Sequence, residues 1–88
     1  GHALTQYDKR VLHVEFTVEP FVEGQPGPHV RAAVAAVEAH GLTVEFGPFA
    51  TEFEADDATV SRAVGDLVRE AYANGATHVT VHMEKIDA

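Results

Sequence analysis

The amino-acid sequence predicts an α+β domain with the element order β-α-β-β-α-β. Four segments alternate apolar and polar residues, which is typical of strands with one buried face. Two longer segments repeat apolar residues at helical spacing, which is typical of amphipathic helices. The predicted strands are residues 11–19, 42–46, 49–54 and 76–85, and the predicted helices are residues 29–41 and 56–75.

The first half of the chain begins with the strand VLHVEFTVE, whose predicted inward residues are Leu12, Val14, Phe16 and Val18. Residues 20–29 contain three prolines and two glycines and are predicted to form a loop. Pro28 suits the first turn of the helix that follows, because its missing N–H costs nothing there. Gly41 suits the position just after the helix end, where glycine adopts a left-handed conformation.

The second half contains two strands that meet at Gly47-Pro48, then a helix and a last strand. An Asp at the helix start is expected to cap it, and Gly75 is expected to end it. The predicted inward residues are Leu42, Val44, Phe46, Thr51 and Phe53 of the two strands, Val60, Val64, Leu67, Val68, Ala71 and Tyr72 of the helix, and Val79, Val81 and Met83 of the last strand. Phe49, in the same register as Thr51, is expected to be half buried.

Right-handed crossovers turn this element order into a ferredoxin-like sandwich. The predicted sheet is antiparallel, has the strand order 4-1-3-2, and carries both helices on one face. We expect one such domain over residues 11–87. Residues 1–10 are expected to be a flexible N-terminus whose opening Gly-His is typical of a cleaved expression tag.

Composition excludes several classes of function. The 88 residues carry 14 Asp and Glu against 6 Lys and Arg, a net charge of −8, which disfavours binding to nucleic acid or to an anionic membrane. The chain has no cysteine and hence no thiolate chemistry. It shows no signal peptide or membrane span, so we expect a cytoplasmic protein. A domain this small buries only about 60–65% of its unfolded surface, which favours self-association.

The sheet face opposite the helices is predicted to be polar. It should carry His13, Glu15, Thr17 and Glu19 from the first strand, Thr43 and Glu45 from the second, and Thr80, His82 and Glu84 from the last. One interpretation is an ordinary solvated face. The other is a cavity wall that a second subunit covers, because threonine and histidine replace the lysine and arginine expected on a freely exposed face.

Aromatic residues next to the predicted turns suggest a ligand. Phe21 follows the first strand, and Phe49 follows the Gly47-Pro48 corner. An aromatic wall near a carboxylate is a suitable host for a flat cationic heterocycle.

Three stretches resemble the YkoF-like thiamine-binding family of small ferredoxin-like proteins. They are VEFTVEPF at residues 14–21, LTVEFGPFATEFEAD at residues 42–56 and AYANGATHVTVHMEKID at residues 71–87. The GPFAT corner is the most specific of them, although Ala50 stands where many members have glycine. The resemblance implies a non-enzymatic domain that binds thiamine or its hydroxymethylpyrimidine part, forms dimers and tetramers through its sheets, and serves thiamine salvage or transport.

We therefore predict a ligand-binding set and no catalytic residues, no metal ligands and no cofactor. The set is Glu15, Thr17, Phe21, Phe49, Ala50, Thr51, His82 and Glu84. Two alternatives stay open. One is a structural or regulatory assembly domain. The other is a dimeric ferredoxin-like enzyme or metal-binding protein that would use His13, Glu15, His82 and Glu84, since imidazole and carboxylate suit metals of the Zn or Cu type and acid–base chemistry.

Overall fold

A computed structural model of the chain describes residues 10–21, 24 and 26–86, and it confirms the predicted α+β sandwich. The described elements follow the predicted order. They are β1 Val11–Glu19, α1 Pro28–Glu38, β2 Glu45–Phe46, β3 Thr51–Asp56, α2 Asp57–Ala73 and β4 His78–Lys85. Two predictions fall outside the described residues. One is the flexible N-terminus, of which residues 1–9 are not described, and the other is the end of the domain at residue 87.

The four strands form one sheet in the order β2-β3-β1-β4, which is the predicted 4-1-3-2 order. All of the strand pairs are antiparallel. The pairing places Phe16 of β1 opposite Thr51 of β3 and Val81 of β4. Because paired residues of adjacent strands point to the same face, this register fixes which side chains share each face of the sheet.

The hydrophobic core lies between the sheet and the two helices, which pack against each other and over the central strands β1 and β3. Phe16 and Phe53 lie in this core, with ring centroids 6.2 Å apart in an edge-to-face arrangement that aromatic pairs favour. The buried apolar residues are Val14, Phe16, Val18, Ala33, Val34, Val37, Phe53, Val60, Ala63, Leu67 and Ala71. The helical and strand periodicities thus identified the core face correctly.

The predicted helix signals also appear at the helix ends. Asp56 caps α2 by accepting a hydrogen bond from the backbone N–H of Thr59 at 2.9 Å. Gly75 directly follows Asn74, the C-cap of α2, as predicted, and has a φ angle of 106°. Gly41 lies two residues beyond Ala39, the C-cap of α1, and not directly after the helix end as predicted; its φ angle is 79°. Both angles are in the left-handed region, which a side chain would strain. Pro28 lies in the first turn of α1.

The edge strand β2 is shorter than predicted. The sequence predicted residues 42–46, whereas only Glu45–Phe46 pair with β3, opposite Glu52 and Thr51. The residues between Gly41 and Glu45 leave the sheet. As a result, the part of β3 from Phe53 to Asp56 has β1 on one side and no strand partner on the other among the described residues.

The exposure of several predicted core residues is a second correction. Phe46 and Tyr72 are 67% and 49% exposed, and Phe49, expected to be half buried, is 89% exposed. Met83 is on the inner face opposite Val14, yet it is 48% exposed. The helices cover β1 and β3, so Phe46 of β2 and Met83 of β4 keep much of their surface even in the inward register. Tyr72 is in α2 but beside the buried stripe of that helix, which consists of Val60, Ala63, Leu67 and Ala71.

The corner between β2 and β3 is tightly closed. The backbone N–H of Gly47 donates a hydrogen bond to the carbonyl of Ala50 at 2.8 Å. A Cβ at position 47 would lie 2.9 Å from that carbonyl oxygen and 3.0 Å from a carboxylate oxygen of Glu52. Glycine is therefore needed here because the chain approaches itself closely. Phe49 projects from this corner instead of continuing β3.

Candidate functional site on the outer face of the sheet

The outer face is the side of the sheet that the helices leave uncovered. Its described residues alternate with the core residues along each strand. They are Glu15, Glu19, Glu45, Glu52, Glu54 and Glu84, with His13, His78 and His82, with Thr17 and Thr80, and with the strand-end pair Val11 and Asp56. None of these residues is lysine or arginine. The outer face therefore concentrates the negative charge of the chain.

His13 lies between three of these glutamates. Its Nδ1 is 2.9 Å from Oε2 of Glu54. Its Nε2 is 2.9 Å from Oε1 of Glu52 and 3.6 Å from Oε1 of Glu15. Glu54 and Glu52 flank the ring because β3 pairs with β1 in a register that places Glu54 opposite His13 and Glu52 opposite Glu15. Both nitrogens of the ring thus have a carboxylate partner.

This arrangement favours the protonated form of His13. The hydrogen bond to Glu54 raises the pKa of His13 above its ordinary value of 6.5, and the negative charge of Glu52 adds to the rise. Partial burial of the ring acts in the opposite direction but does not cancel the effect. A positive imidazolium offsets part of the repulsion among the carboxylates around it.

An acidic cleft opens beside His13, where the chain leaves the sheet ahead of β2. It has a volume of about 370 Å³. Its polar wall consists of His13, Thr43, Glu45, Glu52 and Glu54. The cleft exists because β2 starts only at Glu45, so the space beside the second half of β3 is not filled by a strand. A cleft with this wall favours cationic ligands over anions.

Four of the eight predicted ligand-binding residues share the outer face. Glu15 pairs with His82, and Thr17 pairs with Thr80 one step further along the same two strands. Glu84 lies opposite His13. The structure therefore brings Glu15, Thr17, His82 and Glu84 together on β1 and β4, as the strand order predicted.

The other four predicted residues lie at one end of the sheet. Phe21 follows β1 and is 84% exposed, and Phe49 is 89% exposed. Because β3 starts at Thr51 opposite Phe16, Phe49 and Ala50 lie beyond that pair, toward the end of β1 that leads to Phe21. Thr51 differs from the rest: it is buried, only 9% exposed, and it faces the helices. It does not share a face with Glu15.

Sequence reasoning missed Glu52 and Glu54. It grouped His13 with the glutamates and histidines of β1 and β4, whereas the His13 ring contacts β3. The signal was present in TEFE, because neighbouring residues of a strand point to opposite faces. With Thr51 and Phe53 pointing inward, both glutamates must point to the outer face. Combined with the predicted neighbourhood of β1 and β3, that alternation would have placed them on the same face of the sheet as His13.

Among the described helices, none is long and apolar enough to cross a membrane.

Solved structures share this fold. A domain of unknown function, DUF77, from Bacillus cereus superposes with a TM-score of 0.66 at 18% identity, over 91% of this chain and 78% of that one. A candidate thiamine biosynthesis/salvage protein from Thermotoga maritima gives 0.64 at 22% identity, over 89% and 84% of the two chains. A hypothetical protein from Methanocaldococcus jannascii gives 0.64 at 19% identity, over 90% and 81%. Because all three identities are below 25%, the similarity establishes only that these proteins and this chain share a fold.

The family assignment comes from the sequence. Comparison with curated proteins finds no match. Residues 14–88, however, match the family described as thiamine-binding protein, and this range includes β1 from Val14 onward and every later element. The matched range includes the GPFAT corner and all of the predicted ligand-binding residues. The chain belongs to the thiamine-binding protein family.

Proposed function

We propose that this protein binds thiamine, or the hydroxymethylpyrimidine part of thiamine, without catalysing a reaction. The observation that carries the proposal is the match of residues 14–88 to the thiamine-binding protein family. One solved structure of similar fold is described as a candidate thiamine biosynthesis/salvage protein, which agrees with a thiamine-related function. We place the function in thiamine salvage or transport in the cytoplasm.

The chemistry of the outer face suits this ligand. The thiazolium ring of thiamine is a cation, and the outer face carries six glutamates without a lysine or arginine among its described residues. The aminopyrimidine ring offers both hydrogen-bond donors and acceptors, which carboxylate and hydroxyl groups can match. Glu15 and Thr17 provide these groups next to each other on one strand face.

The aromatic residues suit the flat rings of the ligand. Phe21 and Phe49 leave most of their surface uncovered, so both rings are accessible to a ligand. Both lie toward the end of the sheet at which β1 finishes. We assign them stacking contacts with the ligand, Ala50 a backbone approach at the corner, and Thr51 a supporting position beneath it.

A second copy of the chain would complete the binding site. None of the elements in the described part of the chain lies over the outer face, whereas small-molecule sites usually bury most of their ligand. Packing of two sheets through their outer faces would enclose the space above Glu15, Thr17, His82 and Glu84. The proposal is therefore a homodimer or homotetramer with the ligand against the sheet.

Isothermal titration calorimetry tests the proposal directly, with thiamine, thiamine phosphates and hydroxymethylpyrimidine as titrants in the presence of a chelator. A ligand at 100 times its dissociation constant should stabilise the fold by about 2.7 kcal/mol, which a melting experiment detects easily in so small a domain. Absence of binding and of thermal stabilisation with all of these compounds would overturn the proposal.

Glu15→Gln separates the role of charge from that of shape. The variant keeps the size of the side chain and removes its charge, so we expect it to weaken thiamine binding more than hydroxymethylpyrimidine binding. Glu38→Gln, an exposed charge change on α1, is the matched control and should leave both affinities unchanged. Equal losses for the two ligands in Glu15→Gln would contradict a charge contact with the thiazolium.

A further inference from the structure

We propose that Nε2 of His13 and the carboxylates of Glu15 and Glu52 bind a divalent transition-metal cation of the Zn²⁺ class on the outer face. One ligand atom from each of these three residues lies within 4.8 Å of the other two. The sequence predicted no metal site, and the metal-binding alternative that it left open used His13, Glu15, His82 and Glu84. The site proposed here keeps His13 and Glu15 and has Glu52 of β3 in place of the two β4 residues. The ring of His13 points toward β3, so the glutamate nearest to its Nε2 is Glu52.

The distances are close to those that a metal site requires. Zn²⁺ binds imidazole nitrogen and carboxylate oxygen at about 2.0–2.2 Å. Two ligand atoms of a tetrahedral site are therefore about 3.3–3.6 Å apart. Nε2 of His13 lies 2.9 Å from Glu52 and 3.6 Å from Glu15. Small rotations of two glutamate side chains, both partly exposed, would open the space for one ion.

Glu54 holds the second nitrogen of the His13 ring, as a carboxylate often does for a metal-binding histidine. Its carboxylate lies 2.9 Å from Nδ1 of His13, the ring nitrogen that faces away from the other two glutamates. Metal-binding histidines usually donate their second ring N–H to a carboxylate or carbonyl, which fixes the ring and makes the ligating nitrogen more basic. Glu54 is placed for this role, with Nε2 directed at Glu15 and Glu52.

The ligand set favours one class of cation. One imidazole and two carboxylates suit Zn²⁺ and its borderline neighbours better than Ca²⁺ or Mg²⁺, which prefer all-oxygen sites. Three protein ligands also leave a coordination position for water or for a bound molecule. His13 and Glu52 line the acidic cleft, so the ion would lie at its wall.

Titration with Zn²⁺ tests the proposal. The protein is first freed of metal with a chelator, the chelator is then removed, and Zn²⁺ is added. Co²⁺ serves as a spectroscopic probe, because its visible absorption reports ligand type and geometry. We expect saturable binding of one ion per chain. His13→Gln and Glu52→Gln should each weaken it by about 100-fold or more, and Glu54→Gln by about 10- to 100-fold.

Matched controls separate a built site from a generally acidic surface. Glu19→Gln removes one charge from the same face of β1, and His78→Gln removes an exposed imidazole from the same face of β4. Both should bind Zn²⁺ like the unmodified chain. Equal weakening in Glu19→Gln and Glu52→Gln, or unchanged binding in His13→Gln, would overturn the proposal.

A measurement on the unmodified chain keeps the test decisive if a variant fails to fold. Nitrogen NMR of the histidine rings should show a large Zn²⁺-induced shift at Nε2 of His13 and none at His78. A shift pattern that leaves His13 untouched would overturn the proposal. The two proposals share Glu15, but they can fail independently, because His13→Gln and Glu52→Gln change residues outside the thiamine-binding set and the Zn²⁺ titration contains no vitamin.

Discussion

The two faces of β1 show how differently one strand can be used. On the inner face, Val14, Phe16 and Val18 are no more than 6% exposed, and the helices of the same chain cover them. On the outer face, His13, Glu15 and Thr17 alternate with them and no described element lies over them. The inner face is covered within one chain, whereas none of the described elements encloses the polar residues of the outer face.

The difference between the faces is also one of energetics. The inner face gains its free energy from apolar area removed from water, at about 25 cal/mol per Å². The outer face gathers glutamates on adjacent strands, and like charges placed opposite each other on a sheet are destabilising. Glu15 and Glu52 are such a pair, and Glu45 extends the row. A face that costs stability is more readily explained by binding than by folding.

Truncation of the inner face is expected to have the largest effect. Phe16→Ala should lower the free energy of unfolding by about 3–5 kcal/mol, because it removes a ring that is 1% exposed and leaves a cavity. Thr17→Ala, the next residue on the outer face, should cost less than about 1 kcal/mol. Urea unfolding followed by circular dichroism measures both. Similar losses of unfolding free energy in the two variants would contradict the proposal that the inner face contributes most of the stability.

Removal of an exposed aromatic ring is expected to have an intermediate effect, on binding alone. Phe49→Ser should change the free energy of unfolding by no more than about 0.5 kcal/mol, because the ring is 89% exposed. The same change should weaken thiamine binding by about 0.5–2 kcal/mol if the ring stacks on the cation. Calorimetry and urea unfolding of the same preparation compare the two. Lost stability with unchanged affinity would assign Phe49 to the fold instead of the ligand site.

The charge of His13 is expected to give the smallest effect, and a pH dependence identifies it. The pKa of His13 in the folded chain is raised above 6.5, so its stabilising contribution is complete below 6.5 and is lost as the pH rises through the folded value. Exposed ion pairs of this kind contribute less than about 1 kcal/mol each. His13→Gln should therefore be less stable than the unmodified chain at low pH, with the difference shrinking as pH increases.

Unfolding in chelator at several pH values measures this difference. Gln keeps a polar side chain of similar size, so the comparison isolates the charge. A difference that widens with increasing pH would contradict the raised pKa and the role of Glu54 and Glu52 in causing it.

Much of the fold was predictable because it depends on local patterns. Alternation identified the faces of β1 and β4, helical spacing identified the buried stripe with Val60 and Leu67, and Asp56 and Gly41 marked helix ends. Predictions failed at the edges of the sheet. Phe46 and Met83 are in inward registers, but alternation only states the direction in which a side chain points and not whether another element covers it.

The candidate site was predictable in part. Glu15, Thr17, His82 and Glu84 were correctly grouped on one face, since the strand order followed from the element order. Their contact with a ligand stays a proposal. Thr51, predicted to be in the inward register although it was assigned to the same ligand-binding set, does face the helices.

The sequence by itself determined the order of the elements, the acidic character of the chain and the family to which it belongs. Only the tertiary structure decided that His13 lies between Glu52, Glu54 and Glu15 and that an acidic cleft opens beside it. The reason is physical. Composition and periodicity are local properties of the chain, whereas the contacts of His13 with Glu52 and Glu54 join residues about forty positions apart. They depend on the exact register of β1 against β3, and the cleft depends on where β2 begins.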